Sequence, residues 1–321
     1  MRRNFIFGGL TLLLLVVFVF GLLEISVRIV QYRGMNFDIE MWKYAKDIKQ
    51  QSANYDIAHE HRPNSSAFLM GTQVDINSKK LRDQEHSYEK TPGTRRVLML
   101  GDSLTFGWGV RFADTTSQLI EERLNRSGGP WEVINAGVGN YNTSQEVAYY
   151  LAEGQRYEPD VVVLNYFIND AEPTPRQRDN LFLRWSYAYV YLSGRFDILM
   201  RQLSERGDWR DYYHGLYAPD QPGWKVAAAS IRTLAETVRS TGARLIIANY
   251  PELHDLRTYP FPEVSDSLAR LAGEIGAEFI DLTDSVRGRE ETSLWVHPED
   301  AHPNGLANRL FSDALVPLIE K

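Results

Sequence analysis

Four separated stretches of this 321-residue chain carry groups that can make and break acyl bonds. An apolar run, VLML, ends in Gly101-Asp102-Ser103. NAGVGNYNT follows at 135–143, rich in small and amide residues. FIND at 167–170 holds Asn169 and Asp170. HPEDAHPNG at 297–305 holds two histidines and two acids. A hydroxyl, an imidazole, carboxylates and amide donors are what acyl transfer requires: an activated nucleophile, and hydrogen bonds for the oxyanion that develops on the carbonyl. Taken alone, Ser103 is equally suited to cap a helix. The other three stretches favour the nucleophile.

Such groups work together only if the fold gathers them. From residue 96 the sequence alternates short apolar runs (RRVLML, WEVINA, PDVVVLNYF, ARLIIANY, AEFIDL) with amphipathic segments of helical period. This pattern predicts βαβ units: an α/β fold, three-layer α/β/α, with a five-stranded parallel sheet covered on both faces. In such sheets ligands bind beyond the carboxyl ends of the strands, and all four stretches are expected at that edge. The alternation is broken at 171–222, a helical insertion whose aromatic segment RWSYAYVY suggests packing helices, a lid or a sugar-stacking surface. AFLMGTQVDIN reads as a hairpin around Gly71-Thr72.

The blocks resemble those of the SGNH or GDSL hydrolases. Gly101-Asp102-Ser103, the NAGVGN stretch, Ile168-Asn169-Asp170 and Asp300-Ala301-His302-Pro303-Asn304 stand in that family's order over residues 96–321. The resemblance implies a flavodoxin-like SGNH hydrolase fold and a serine esterase. It makes Ser103 the nucleophile, His302 the general base and Asp300 the residue that orients the imidazole. The oxyanion hole would come from the Ser103 and Asn140 backbone N–H groups and the Asn169 side chain. Two departures stand out. Phe167 replaces the family's usual glycine before Ile-Asn-Asp, and Asn140 stands where the second block has glycine, with Gly137 and Gly139 as alternatives. The family's acid often lies three residues before the histidine, which is Glu299 here, so Asp300 and Glu299 both remain open. His302 is favoured over His297 because Pro303-Asn304-Gly305 leads straight into a helix. Asp102 is expected to shape the turn, and Tyr166 and Tyr250 to pack.

A net charge of −7 gives nucleic acid no electrostatic attraction, and the absence of cysteine excludes disulfides and a thiol nucleophile. No ligand spacing supports a metal at Asp281, Asp284, His297 and His302, and no cofactor is expected. Residues 5–23 are uncharged and long enough for a membrane helix, with Arg2 and Arg3 before them. An uncleaved anchor is favoured over a signal peptide, whose apolar core is shorter and ends at a small-x-small site. The expected organisation is a transmembrane anchor at 1–31, a juxtamembrane helix and hairpin at 32–95, and the hydrolase domain at 96–321, facing the periplasm or exterior. The expected substrate is an acylated carbohydrate or small ester. Two alternatives are an O-acyltransferase of cell-surface polysaccharide, working with unknown assembly partners, and a non-catalytic membrane-anchored binding domain.

Overall fold

The computed structural model describes residues 2–33, 35–174, 185–203, 209–218 and 221–321. The chain opens with a long helix, α1 (Arg2–Arg33), and a short one, α2 (Phe37–Lys43), which runs on as a π turn over Tyr44–Ile48. Two antiparallel pairs follow, β1 (Lys49–Gln51) with β2 (His59–His61) and β3 (Ser66–Leu69) with β4 (Thr72–Asp75). The alternating region comprises β5 (Arg95–Gly101), α3 (Ser103–Phe106), α4 (Thr116–Ser127), β6 (Trp131–Gly137), α5 (Thr143–Ala152) and β7 (Val161–Tyr166). After it come α6 (Tyr187–Leu203) and α7 (Trp209–Leu216), then α8 (Pro222–Thr241), β8 (Arg244–Asn249), α9 (Pro262–Ile275), β9 (Glu278–Asp281) and α10 (Thr283–Val286). An antiparallel pair, β10 (Trp295–His297) and β11 (Asp300–Pro303), precedes the last helix, α11 (Gly305–Ile319).

The backbone divides into two compact units, one from the described residues of 1–46 and 177–206, the other from those of 47–176 and 207–321. The larger unit is built on a five-stranded parallel sheet of order β6-β5-β7-β8-β9. Strand residues alternate between its two faces. Leu98, Leu100, Ile134, Val162, Leu164 and Ile247 pack on one side with α5, α8 and α9. Val97, Met99, Val133, Val163 and Ile246 pack on the other with α4 and α11. Both faces are therefore apolar, which is why these strands read as continuous β-branched runs. The order reverses between β5 and β7, and this switch point opens a crevice at the strand ends. Gly101 pairs with Gly137 there. The β3–β4 hairpin turns through Met70 and Gly71, both at positive φ, as a two-residue hairpin requires.

In the smaller unit, residues 6–31 of α1 are long and apolar enough to cross a membrane, and their large apolar side chains from Ile6 to Phe20 are exposed. Its lower half is bound to α6. Val27 packs with Ile39 and Val190, flanked by Leu23, Trp42, Tyr187 and Tyr191. Glu24 accepts from the backbone N–H groups of Tyr187 (3.1 Å) and Ala188 (2.8 Å), from Ser186 Oγ (2.9 Å) and from Arg28 Nε (2.7 Å). A carboxylate at a helix N-terminus satisfies orphan donors and meets the positive end of the helix dipole. The aromatic residues at the start of α6 thus pack on the N-terminal helices. The preceding insertion residues 175–184 lie outside the described chain.

Candidate active site

β5 delivers its last residue, Gly101, to the switch point, and Asp102 turns the chain into α3. Asp102, not Ser103, is the helix cap: its Oδ1 accepts from Leu104 N–H at 2.9 Å. Ser103 is then the first helical residue, and the cap reading of this serine is displaced by its neighbour. The short helix is pinned from two strands. Asn135 Nδ2 donates to Thr105 C=O (2.8 Å) and Asn165 Nδ2 to Thr105 Oγ1 (2.9 Å). Gly137 lies so close that a Cβ there would sit 2.2 Å from Phe106 N. Close packing against α3 accounts for this glycine.

Ser103 Oγ lies 2.9 Å from His302 Nε2, and His302 Nδ1 lies 2.5 Å from Asp300 Oδ1. Both partners sit on β11, a strand absent from the sequence expectation, which placed HPEDAHPNG at the strand-end edge just before the last helix. Residues two apart on a strand share a face, so Asp300 and His302 point together. Glu299 lies in the turn between β10 and β11 and is exposed. His297 pairs across the hairpin with Asp300, and its Nδ1 accepts from Glu299 N–H at 3.3 Å. The second oxygen of Asp300 accepts from the buried Trp108 indole N–H at 2.9 Å. Burial alone would raise the Asp300 carboxyl. The hydrogen bond and charge of His302, its backbone N–H and the indole outweigh that and hold it below its ordinary value. An ionised Asp300 holds the Nδ1 proton, which leaves Nε2 free to accept from Ser103 Oγ–H.

Asn140 is the third residue of a turn closed by Tyr141 N–H to Val138 C=O (3.1 Å), and its φ is +67°. The left-handed region favours glycine and tolerates asparagine. Asn169 follows β7 on a short 3₁₀ turn, with Nδ2 3.5 Å from Asp102 Oδ2. Phe167, where the resembling family usually has glycine, donates its N–H to Asp170 Oδ2 at 3.1 Å. Burial pushes the Asp102 carboxyl up against the pull of Leu104 N–H. Behind these residues Glu146 is fully buried, and burial followed by the charges of Asp170 and Asp102 raises it well above the ordinary range. Tyr166 and Tyr250 are buried, and Tyr166 Oη meets Tyr217 Oη at 2.6 Å. Among the described residues, no cluster of three His, Cys, Asp or Glu side chains is placed to hold a metal ion.

Two supporting residues escaped the sequence reading. Trp108 lies within GWG, and a buried tryptophan needing a partner for its N–H was the available signal. Gly109, at φ +73°, brings this loop against Val296 of β10. Arg82, buried, donates to the carbonyls of Phe106 (3.1 Å), Gly107 (2.5 Å) and Val110 (2.7 Å), tying down the loop after Ser103. It lies within 32–95, before the alternating region, where no sheet strand was expected.

Residues 99–310 match the GDSL-like Lipase/Acylhydrolase family. Similar solved structures include TesA, 15% identical over 70% of this chain and 98% of that one, with a TM-score of 0.49. A variant of Axe2, an acetyl-xylooligosaccharide esterase from Geobacillus Stearmophilus, is 14% identical over 71% of this chain and 94% of that one, TM-score 0.48. The psychrotrophic esterase EstA from Pseudoalteromonas sp. is 15% identical over 70% and 97%, TM-score 0.46. No curated protein matches the sequence.

Proposed function

The chain belongs to the GDSL-like lipase/acylhydrolase family and is an ester-bond hydrolase; on that premise we propose that it removes an acyl group, acetyl foremost, from a carbohydrate or small ester outside the cytoplasm, with Ser103, His302 and Asp300 as the catalytic triad. The observation that carries this reading is the unbroken line of hydrogen bonds from Ser103 Oγ through His302 to Asp300. Ser103 Oγ attacks the ester carbonyl as His302 Nε2 takes its proton. The imidazolium, steadied by Asp300, returns that proton to the leaving alcohol. Water, deprotonated by the same imidazole, then releases the acid and restores Ser103. In both halves the oxyanion is met by the Ser103 and Asn140 backbone N–H groups and by Asn169 Nδ2.

A series of rings supports a sugar-bearing substrate. Trp209 and Tyr212 on α7 are exposed, and the Trp209 ring lies 5.8 Å from His254. The His254 ring lies 5.0 Å from Trp295, which pairs with Pro303 beside His302. Exposed ring faces suit the apolar C–H faces of pyranoses.

The test is hydrolysis of p-nitrophenyl acetate and acetylated oligosaccharides by the full chain in detergent. Ser103→Ala should lose at least about 10³-fold in kcat. An unacetylated oligosaccharide added as acceptor distinguishes hydrolysis from transfer. Activity retained by Ser103→Ala, with no fluorophosphonate labelling of the native chain, refutes the triad.

A further inference from the structure

We infer that Lys49 and His59, carried on β1 and β2, are positioning residues that hold the Asn140 turn so that its backbone N–H faces the oxyanion. The inference rests on the triad reading above. It gives the segment before the sheet domain a part in the reaction.

A non-glycine residue in the left-handed region persists where its surroundings over-determine it. Here three hydrogen bonds from the β1–β2 pair do so. Lys49 Nζ donates to Asn140 Oδ1 at 2.9 Å. His59 Nε2 meets Gly139 C=O at 3.2 Å. Tyr141 Oη donates to the His59 carbonyl at 2.7 Å. The direction of the second follows from its other side. The Gln145 side-chain amide donates to Ile57 C=O (2.8 Å) and faces His59 Nδ1 (3.4 Å), so Nδ1 accepts and Nε2 carries the hydrogen that Gly139 receives. The His59 ring also packs edge-on against Tyr141, centroids 5.0 Å apart. Each residue of Gly139-Asn140-Tyr141 is therefore held by at least one contact from outside the sheet domain's own loops.

Lys49 is a costly way to hold a turn. It is buried, and burial pushes its ammonium down to about 7. An apolar side chain of the same length would fill the space at less cost. Burial likewise pushes His59 down to about 3, so its ring stays neutral and its tautomer constant over the working range. A costly charge one hydrogen bond from a residue of the oxyanion hole is the trade of stability for function seen at active sites.

The test is Lys49→Met in the full chain in detergent, assayed with p-nitrophenyl acetate. Because the donor is displaced rather than deleted, kcat should fall about 10-fold, below the 10²–10³ of a lost donor. KM should stay within about two-fold, fluorophosphonate should still label the whole sample, and the melting temperature should hold or rise. In an Asn140→Gly background, which lacks the Oδ1 acceptor, adding Lys49→Met should cost no further activity. Unchanged kcat in Lys49→Met overturns the inference, as do independent, multiplying losses in the double variant. A lowered melting temperature with lost labelling indicates a merely structural role and also overturns it. If Ser103→Ala is active, the triad reading has failed; if Ser103→Ala is inert and Lys49→Met is fully active, only this inference has.

Discussion

Replacing Asp300 by asparagine changes almost no volume, yet neither orientation of the new amide fits the site. Oδ1 accepts from His302 Nδ1 (2.5 Å) and His302 N–H (3.1 Å), and Oδ2 accepts from Trp108 Nε1 (2.9 Å). If the asparagine oxygen takes the Oδ1 position, its NH₂ meets the indole N–H, donor against donor, in a buried site. If the oxygen takes the Oδ2 position, the NH₂ faces Nδ1 and forces the proton onto Nε2, which can no longer accept from Ser103. The second arrangement stops the base; the first leaves a neutral partner behind a developing imidazolium. A swap of this kind in a Ser-His-Asp protease costs on the order of 10⁴ in kcat, or about 5.5 kcal/mol of transition-state stabilisation. Trp108→Phe removes one charge-assisted hydrogen bond but leaves the carboxylate. At about 1.5–3 kcal/mol it should cost between about 10- and 150-fold. Glu299→Gln, in the exposed hairpin turn, should leave kcat within about two-fold. All three are read as kcat on p-nitrophenyl acetate near neutral pH, where the lowered Asp300 carboxyl is ionised; its native-state support is lost only as pH falls through that lowered value. Asp300→Asn retaining more than about a tenth of kcat, or Glu299→Gln losing as much as Asp300→Asn, would refute the reasoning.

Asn169→Ala should lower kcat by about 10²–10³ with a far smaller change in KM, measured on the same ester. Gly137→Ala would place a Cβ 2.2 Å from Phe106 N and 2.6 Å from Thr105 C, both backbone atoms. It should lower the urea midpoint by the equivalent of about 1–3 kcal/mol and reduce activity by shifting α3; a variant as stable and active as the native chain would show the contact to be slack. Glu146, raised well above its ordinary 4.5, binds its proton more tightly folded than unfolded. Its contribution is complete below that ordinary value and is lost as pH rises through the raised one, at up to about 1.4 kcal/mol per pH unit. Glu146→Gln should therefore gain stability relative to the native chain on going from about pH 5 to about pH 9 in thermal melts, and parallel curves would contradict this.

The sequence by itself determined the α/β alternation, since strands buried on both faces must be apolar throughout and their covering helices must show a 3.6 period. It also determined that three polar stretches follow strands of the sheet, because a polar turn has to follow each buried strand; the fourth, around His302, lies on the β10–β11 hairpin. It left open which acid serves His302: spacing allowed Glu299 and Asp300, and the β10–β11 hairpin leaves Glu299 exposed in its turn while Asp300, the first residue of β11, meets the imidazole. The supporting contacts lay further out of reach. Trp108 meets Asp300 across 192 residues, and Lys49 meets Asn140 across 91. Such pairs have no local signature, because each partner taken alone is an ordinary buried tryptophan, a lysine or a turn asparagine. Local sequence encodes period and turn; only the folded chain brings a donor and an acceptor from distant segments within 3 Å of each other.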